Sequence, residues 1–184
     1  LTLRDRAHWF AAVLALTAAP LALAEESART GPVIEKFGPV YDVPRPDFVT
    51  PTDLSYHAVF DVAASPDAAA QVNPRIESLA RFLNMQVRAG VKAEQIKLAL
   101  VVHGAAGKDM LSSAAYKARL GAENPNAPLL AALKSNGVRI ILCGQTAAHK
   151  GFGRDELAPG VEIALSAMTA LVALQSDGYR LISF

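Results

Sequence analysis

Ile96-Lys97-Leu98-Ala99-Leu100-Val101-Val102, stopped by His103-Gly104, is apolar throughout except at Lys97. Successive residues of a strand point to opposite faces, so a strand with one wet face alternates apolar and polar side chains. A strand that is apolar on both faces is covered on both, as in a parallel sheet held between layers of helix. Val138-Arg139-Ile140-Ile141-Leu142 has the same character and runs straight into Cys143-Gly144. Between the two runs the sequence predicts a helix around Met110–Leu120, closed by Gly121. A second helix follows, which Asn126 can cap, with Pro128 in its first turn and Gly137 just past its end.

The alternation continues on either side. Ser55–Val62 reads as a strand through Tyr56, Val59, Phe60 and Val62. Asn73–Ala89 carries Ile76, Leu79, Ala80, Leu83 and Val87 at helical spacing and ends at Gly90. Downstream come a short turn or helix over Gly144–Lys150, a strand over Val161–Leu165, a helix over Ala167–Gln175 and a last strand over Tyr179–Ser183. Five strands alternating with helices predict a three-layer α/β/α sandwich with a five-stranded, mostly parallel sheet of flavodoxin-like type. In such sheets chemistry sits beyond the carboxyl ends of the strands. Two of those ends hold reactive residue types, His103-Gly104 and Cys143-Gly144.

The first residues read as an address. Arg4 and Arg6 precede an uncharged apolar run from Trp9 to Ala19, Pro20 breaks it, and Ala22-Leu23-Ala24 supplies an A-x-A cleavage site before Glu25 and Glu26. Residues 1–24 are therefore expected to be a cleaved signal peptide, which predicts a periplasmic protein without stable membrane association. A retained anchor is the alternative, with an apolar stretch at the lower limit for spanning. Residues 25–54 hold five of the eleven prolines, which excludes a long helix or a central strand. They read as an extended Pro-rich arm, lying on the domain or on a neighbouring subunit, with Val33, Ile34, Phe37, Val40, Tyr41 and Phe48 as apolar anchors. Residues 55–184 form the α/β domain.

Composition removes several classes. Eighteen basic residues against 17 acidic ones give a net charge of +1, and loss of residues 1–24 brings it to zero. That is no electrostatic footprint for nucleic acid or an anionic membrane. A hydrophobic content of 52% with 19% charged residues excludes wholesale disorder. A single Cys excludes an intrachain disulfide framework and the multi-Cys zinc and iron–sulfur patterns. His57, His103 and His149 are dispersed, so no metal site is expected. Gly104-Ala105-Ala106-Gly107-Lys108 lacks the spacing of a phosphate loop, and Asp109 stands where a hydroxyl residue belongs. Ser166 lies outside any nucleophile elbow and reads as a helix cap. No motif requires a cofactor.

Cys143 is the leading candidate for chemistry. It ends a buried strand and is followed by Gly144, Gln145 and Thr146, whose N–H groups can lower a thiol pKa and hold a sulfur anion. The opposing reading is a buried structural cysteine acting as a small hydrophobe. Without a resolving thiol, a self-contained dithiol exchange is excluded, so a reactive Cys143 must exchange with a partner or a small molecule. His103 ends the neighbouring run and can tune that thiol; the alternative is a ring bonded to loop carbonyls.

The segment Gly137-Val138-Arg139-Ile140-Ile141-Leu142-Cys143-Gly144-Gln145-Thr146 resembles the strand–Cys–helix segment of the DsrE/DsrF-like family. Val101-Val102-His103-Gly104, Leu157-Ala158-Pro159-Gly160-Val161, Ser166-Ala167-Met168-Thr169-Ala170-Leu171 and Gly178-Tyr179-Arg180-Leu181-Ile182 extend the resemblance. It covers about residues 55–184 and looks like a secreted member. The resemblance implies a three-layer α/β sandwich and assembly into trimers or hexamers. It also implies a cysteine, here Cys143, that carries sulfur as a persulfide between donor and acceptor proteins. The leader and the Pro-rich arm depart from the sulfur-relay members of that family. Two functions are therefore carried forward: a periplasmic sulfur carrier or sulfurtransferase-like protein, and a non-catalytic oligomeric binding module of the same fold.

Overall fold

The computed structural model describes residues 27–183. The expected signal peptide, residues 1–24, lies outside the described residues. The elements are β1 (Tyr56–Val62), α1 (Pro74–Arg88), β2 (Ile96–Val102), α2 (Ser113–Leu120), α3 (Ala127–Ser135), β3 (Arg139–Cys143), α4 (Gly144–Lys150), β4 (Val161–Ala164), α5 (Ala167–Ser176) and β5 (Arg180–Ser183). No helix among the described residues is long and apolar enough to cross a membrane.

All five strands are parallel, in the order β4-β3-β2-β1-β5. The alternation of elements foresaw the sandwich; the order differs from the flavodoxin arrangement, 2-1-3-4-5. Here the chain steps steadily from β1 to β4 and reverses once, to reach β5 on the far edge. Right-handed crossovers then place the early helices on one face and α5, travelling the opposite way, on the other.

The two faces are unequal. Phe60, Val62, Leu100, Val102, Ile140 and Leu142 pack into a large core with Ile76, Leu79 and Leu83 of α1 and Leu129 and Leu133 of α3. On the other face, Val59, Ala99, Val101, Ile141 and Cys143 lie under Ala167, Ala170 and Leu174 of α5. The residues of that second face alternate in sequence with those of the first, as the period of two requires.

Local chemistry sets the boundaries. Asn73 caps α1, its side chain accepting from the Arg75 N–H at 3.0 Å, and Pro74 fills the first helical position. The helix expected from Met110 begins later, at Ser113, because Gly104–Met110 winds as 3-10 turns and Ser112 supplies the cap to the Ala115 N–H. Asn126 stands at the start of α3 without capping it; its Oδ1 accepts instead from the Asn73 N–H at 2.8 Å, tying α3 to α1. Ser166 does cap α5, accepting from the Thr169 N–H at 3.0 Å.

Residues 27–40 lie along α1. Asn84, fully buried, accepts from the Val33 and Ile34 N–H groups and donates to the Ile34, Phe37 and Gly38 carbonyls. One side chain thus satisfies five backbone groups of a segment that makes little ladder of its own. Ile34 and Val40 are buried as anchors, whereas Tyr41 and Phe48 stand 68% and 81% exposed.

Candidate functional site

β3 hands over to α4 with no intervening residue: Cys143 ends the strand and Gly144 begins the helix. So abrupt a turn brings the backbone of Gly144 against β4. A Cβ there would lie 2.4 Å from the Ala164 carbonyl oxygen and 3.1 Å from that of Leu165, so only glycine fits. The turn aims the first N–H groups of α4 back at the Cys143 side chain, while the start of α5 approaches from above.

Burial pushes the Cys143 thiol up. It is outweighed by hydrogen bonds from the Thr146 and Ala167 N–H groups, the Thr146 hydroxyl and the Gln145 N–H, and the pKa falls below its ordinary value. Donors from two separate helix starts therefore converge on one sulfur. Cys143 is 6% exposed. Gln145 reaches over to β4's end, donating from Nε2 to the Leu165 carbonyl at 3.3 Å.

Thr146 joins the two strand ends singled out by the sequence. Its Oγ1 accepts from the Gly104 N–H at 3.1 Å. Its methyl fills the space beside Gly107, where a Cβ would come within 2.7 Å. His103 and Cys143 occupy equivalent positions on adjacent strands, each one step beyond the Val102–Leu142 pair, and alternation places both on the α5 face. The ring of His103 engages neither the thiol's donor set nor a loop carbonyl. Its Nε2 pairs with Asp61 Oδ1 at 3.1 Å, with both side chains about one-third exposed or less.

Asp61, on the same face of β1, was missed by sequence reasoning. Its signal was a carboxylate next to the end of an otherwise apolar strand, Val59-Phe60-Asp61-Val62. Asp61, His103 and Cys143 thus form a polar row across the carboxyl ends of β1, β2 and β3. Behind it, the His103 N–H donates to the Val62 carbonyl and the Ala106 N–H to that of Ala63, each at 3.0 Å, fixing the Gly104 turn on β1.

Beside α4 lies a cleft of about 390 Å³ bounded by Gly104, Gln145, Thr146, His149 and Lys150. No group of three or more His, Cys, Asp or Glu able to hold a metal occurs among the described residues. Chemically, the arrangement can favour the ionised form of a thiol, stabilise negative charge on sulfur through N–H donors, and present Lys150 at the entrance.

The sequence profile of the DsrE/DsrF-like family matches residues 57–184. None of the curated proteins matches the chain. Among solved structures, the chain is similar to the protein of unknown function MTH1491 from Methanobacterium thermoautotrophicum, at 19% identity over 70% of this chain and 99% of that one, with a TM-score of 0.53. It also matches the ychN protein from E. coli, at 18% identity over 70% of this chain and 99% of that one, with a TM-score of 0.46. At that identity the first likeness speaks for the fold alone.

Proposed function

This chain belongs to the DsrE/DsrF-like family, and we propose that within it Cys143 serves as a periplasmic sulfur carrier. The observation that carries this reading is the lowered thiol pKa under donors from α4 and α5. The Cys143 thiolate attacks the outer sulfur of a donor persulfide, R–S–SH. The donor S–S bond breaks, R–S⁻ departs with the electron pair, and Cys143 holds the sulfur as Cys–S–SH. An acceptor thiolate then attacks that outer sulfur and releases the Cys143 thiolate. The N–H groups of Gln145 and Thr146 stabilise the anionic sulfur at both stages, and His103, paired with Asp61, stands beside it at the neighbouring strand end.

The leader-like residues 1–24 support export, and export places the carrier where partner thiols, not the chain itself, complete the exchange. Self-assembly fits the α5 face, where Leu165, Met168 and Val172 are 65–75% exposed. A homo-oligomer, trimer or hexamer, would cover them.

The near-complete burial of Cys143 favours a second reading, a non-catalytic oligomeric binding module in which the cysteine is packing. One experiment separates the two. Purified protein lacking residues 1–24 is incubated with polysulfide and its intact mass recorded beside Cys143→Ser. A gain of one sulfur, lost on reduction and absent from a folded variant, establishes the carrier. A native thiol that reacts only after denaturation establishes the binding module.

A further inference from the structure

Lys150 of the cleft beside α4 also borders a second hollow of about 290 Å³, whose walls include Lys108, Leu111, Arg119 and Phe152. No carboxylate bounds either hollow. Arg119 is matched, bonded to both Glu156 oxygens at 2.8 and 2.7 Å and lying over the Phe152 ring at 4.9 Å. Lys108 donates to a neutral acceptor, the Pro66 carbonyl, at 2.8 Å. The carboxyl next to it, Asp109, is 1% exposed and its two oxygens accept from Ser65 and Asn73 rather than from Lys108. Lys150 has no ion-pair partner among the described residues, and neither has His149.

The groove therefore presents Lys108 and Lys150, which have no ion-pair partner among the described residues, over an apolar floor of Leu111, fully buried, and Phe152, half-buried. The cleft beside α4 is bounded at its other end by Thr146, whose hydroxyl and N–H both serve the Cys143 sulfur. From Thr146 to Lys150 is four residues of helix, about 6 Å of rise. A molecule with one carboxylate on Lys150 and its sulfur at Thr146 is about the size of a di- or tripeptide.

We propose that the groove between α4 and the Gly104–Met110 turns binds a small, carboxylate-bearing organic thiol, held by Lys150 and Lys108 with its chain over Phe152, as the acceptor of sulfur from Cys143. This rests on the carrier reading above. The transfer is balanced: R–S⁻ attacks the outer sulfur of Cys143–S–SH, the Cys143–sulfur bond breaks, R–S–SH leaves with the proton, and Cys143 recovers its thiolate.

The test uses three aliphatic disulfides that differ in charge and not in the reacting bond: glutathione disulfide, anionic; hydroxyethyl disulfide, neutral; and cystamine, cationic. Mixed-disulfide formation at Cys143 is followed by intact mass on wild type, Lys150→Glu, and Lys97→Glu, a control of equal charge change on exposed β2 residue Lys97. Two lysines without an ion-pair partner along the groove are expected to give the anionic disulfide an advantage of about five- to ten-fold over the neutral one, and the neutral over the cationic, at low salt. The expected result is that Lys150→Glu removes or inverts this order, Lys97→Glu preserves it, and high salt flattens it. Equal rates for all three disulfides, or equal effects of the two substitutions, overturn the anionic acceptor and leave the carrier standing. A native Cys143 that reacts with none of them overturns both.

Discussion

Cys143 and Asp109 are two enclosed ionisable groups near the carboxyl end of the same sheet, and they are driven in opposite directions. They are 6% and 1% exposed, and burial pushes both pKa values up. At Cys143 three backbone N–H groups and a hydroxyl overcome that push, and the thiol is lowered. At Asp109 burial prevails over hydrogen bonds from Asn73 and Ser65 and the charge of Lys108, and the carboxyl stays raised. The Asn73 amide divides its protons between Asp109 at 2.8 Å and the Ala64 carbonyl at 2.9 Å, while its oxygen caps α1. Backbone donors at a helix start have no such competing duty. One centre collects donors for a charge; the other spends a shared set of hydrogen bonds on stitching the 63–73 loop to the 104–110 turns.

That contrast can be broken or sharpened. The largest effect is expected for Asn73→Ala, which removes the α1 cap and one of the two side-chain donors to a buried carboxyl. Together these cost about 3 kcal/mol, read as a lower midpoint in urea denaturation. The alkylation rate of Cys143 in the folded fraction should stay as in wild type; a change there would mean that the two centres are one. Gly144→Ala comes next. Its new Cβ meets backbone carbonyls that cannot rotate away, so a loss of roughly 1–3 kcal/mol is expected, this time with slower alkylation because the N–H groups are displaced.

Thr146→Val keeps the shape and removes a hydroxyl. One lost donor, about 1 kcal/mol, should raise the thiol toward its ordinary value and slow alkylation at neutral pH about five-fold, with little change in stability. An unchanged alkylation profile against pH would show that the backbone donors act alone.

The smallest effect is in the pH dependence of stability, where the two groups have opposite signs. Asp109 is raised in the fold, so its contribution is complete below the unfolded carboxyl pKa, about 3.9, and is lost as pH rises through the folded value. Cys143 is lowered, so its contribution is present above the unfolded thiol pKa, about 8.5, and is lost as pH falls through the folded value. Asp109→Asn should flatten the acid-side slope of the urea midpoint and leave the alkaline side alone. An acid-side slope equal to that of wild type would assign it to other carboxylates.

Much of this was legible in one dimension. Strand positions followed from runs such as Ile96–Val102, because burial on both faces leaves no room for polar alternation. α1 followed from its apolar spacing and the Gly90 that ends it. Cys143 and Gly144 stood out at a strand end. Other features were not legible because they depend on partners distant in sequence. Asn126 looked like a cap and serves Asn73, 53 residues away. Asp61 gained its role only when β1 and β2 aligned and brought His103 to it. The late start of α2 reflects the Gly104–Met110 turns folding down on Ala63 and Thr146.

The sequence by itself determined the layers, the parallel sheet and the place of the thiol, since hydrophobic period and glycine position are local physical constraints. Only the tertiary structure decided the state of that thiol. Burial raises a pKa and converging N–H groups lower it, and which prevails depends on α5 bringing Ala167 to Cys143 from 24 residues further along the chain.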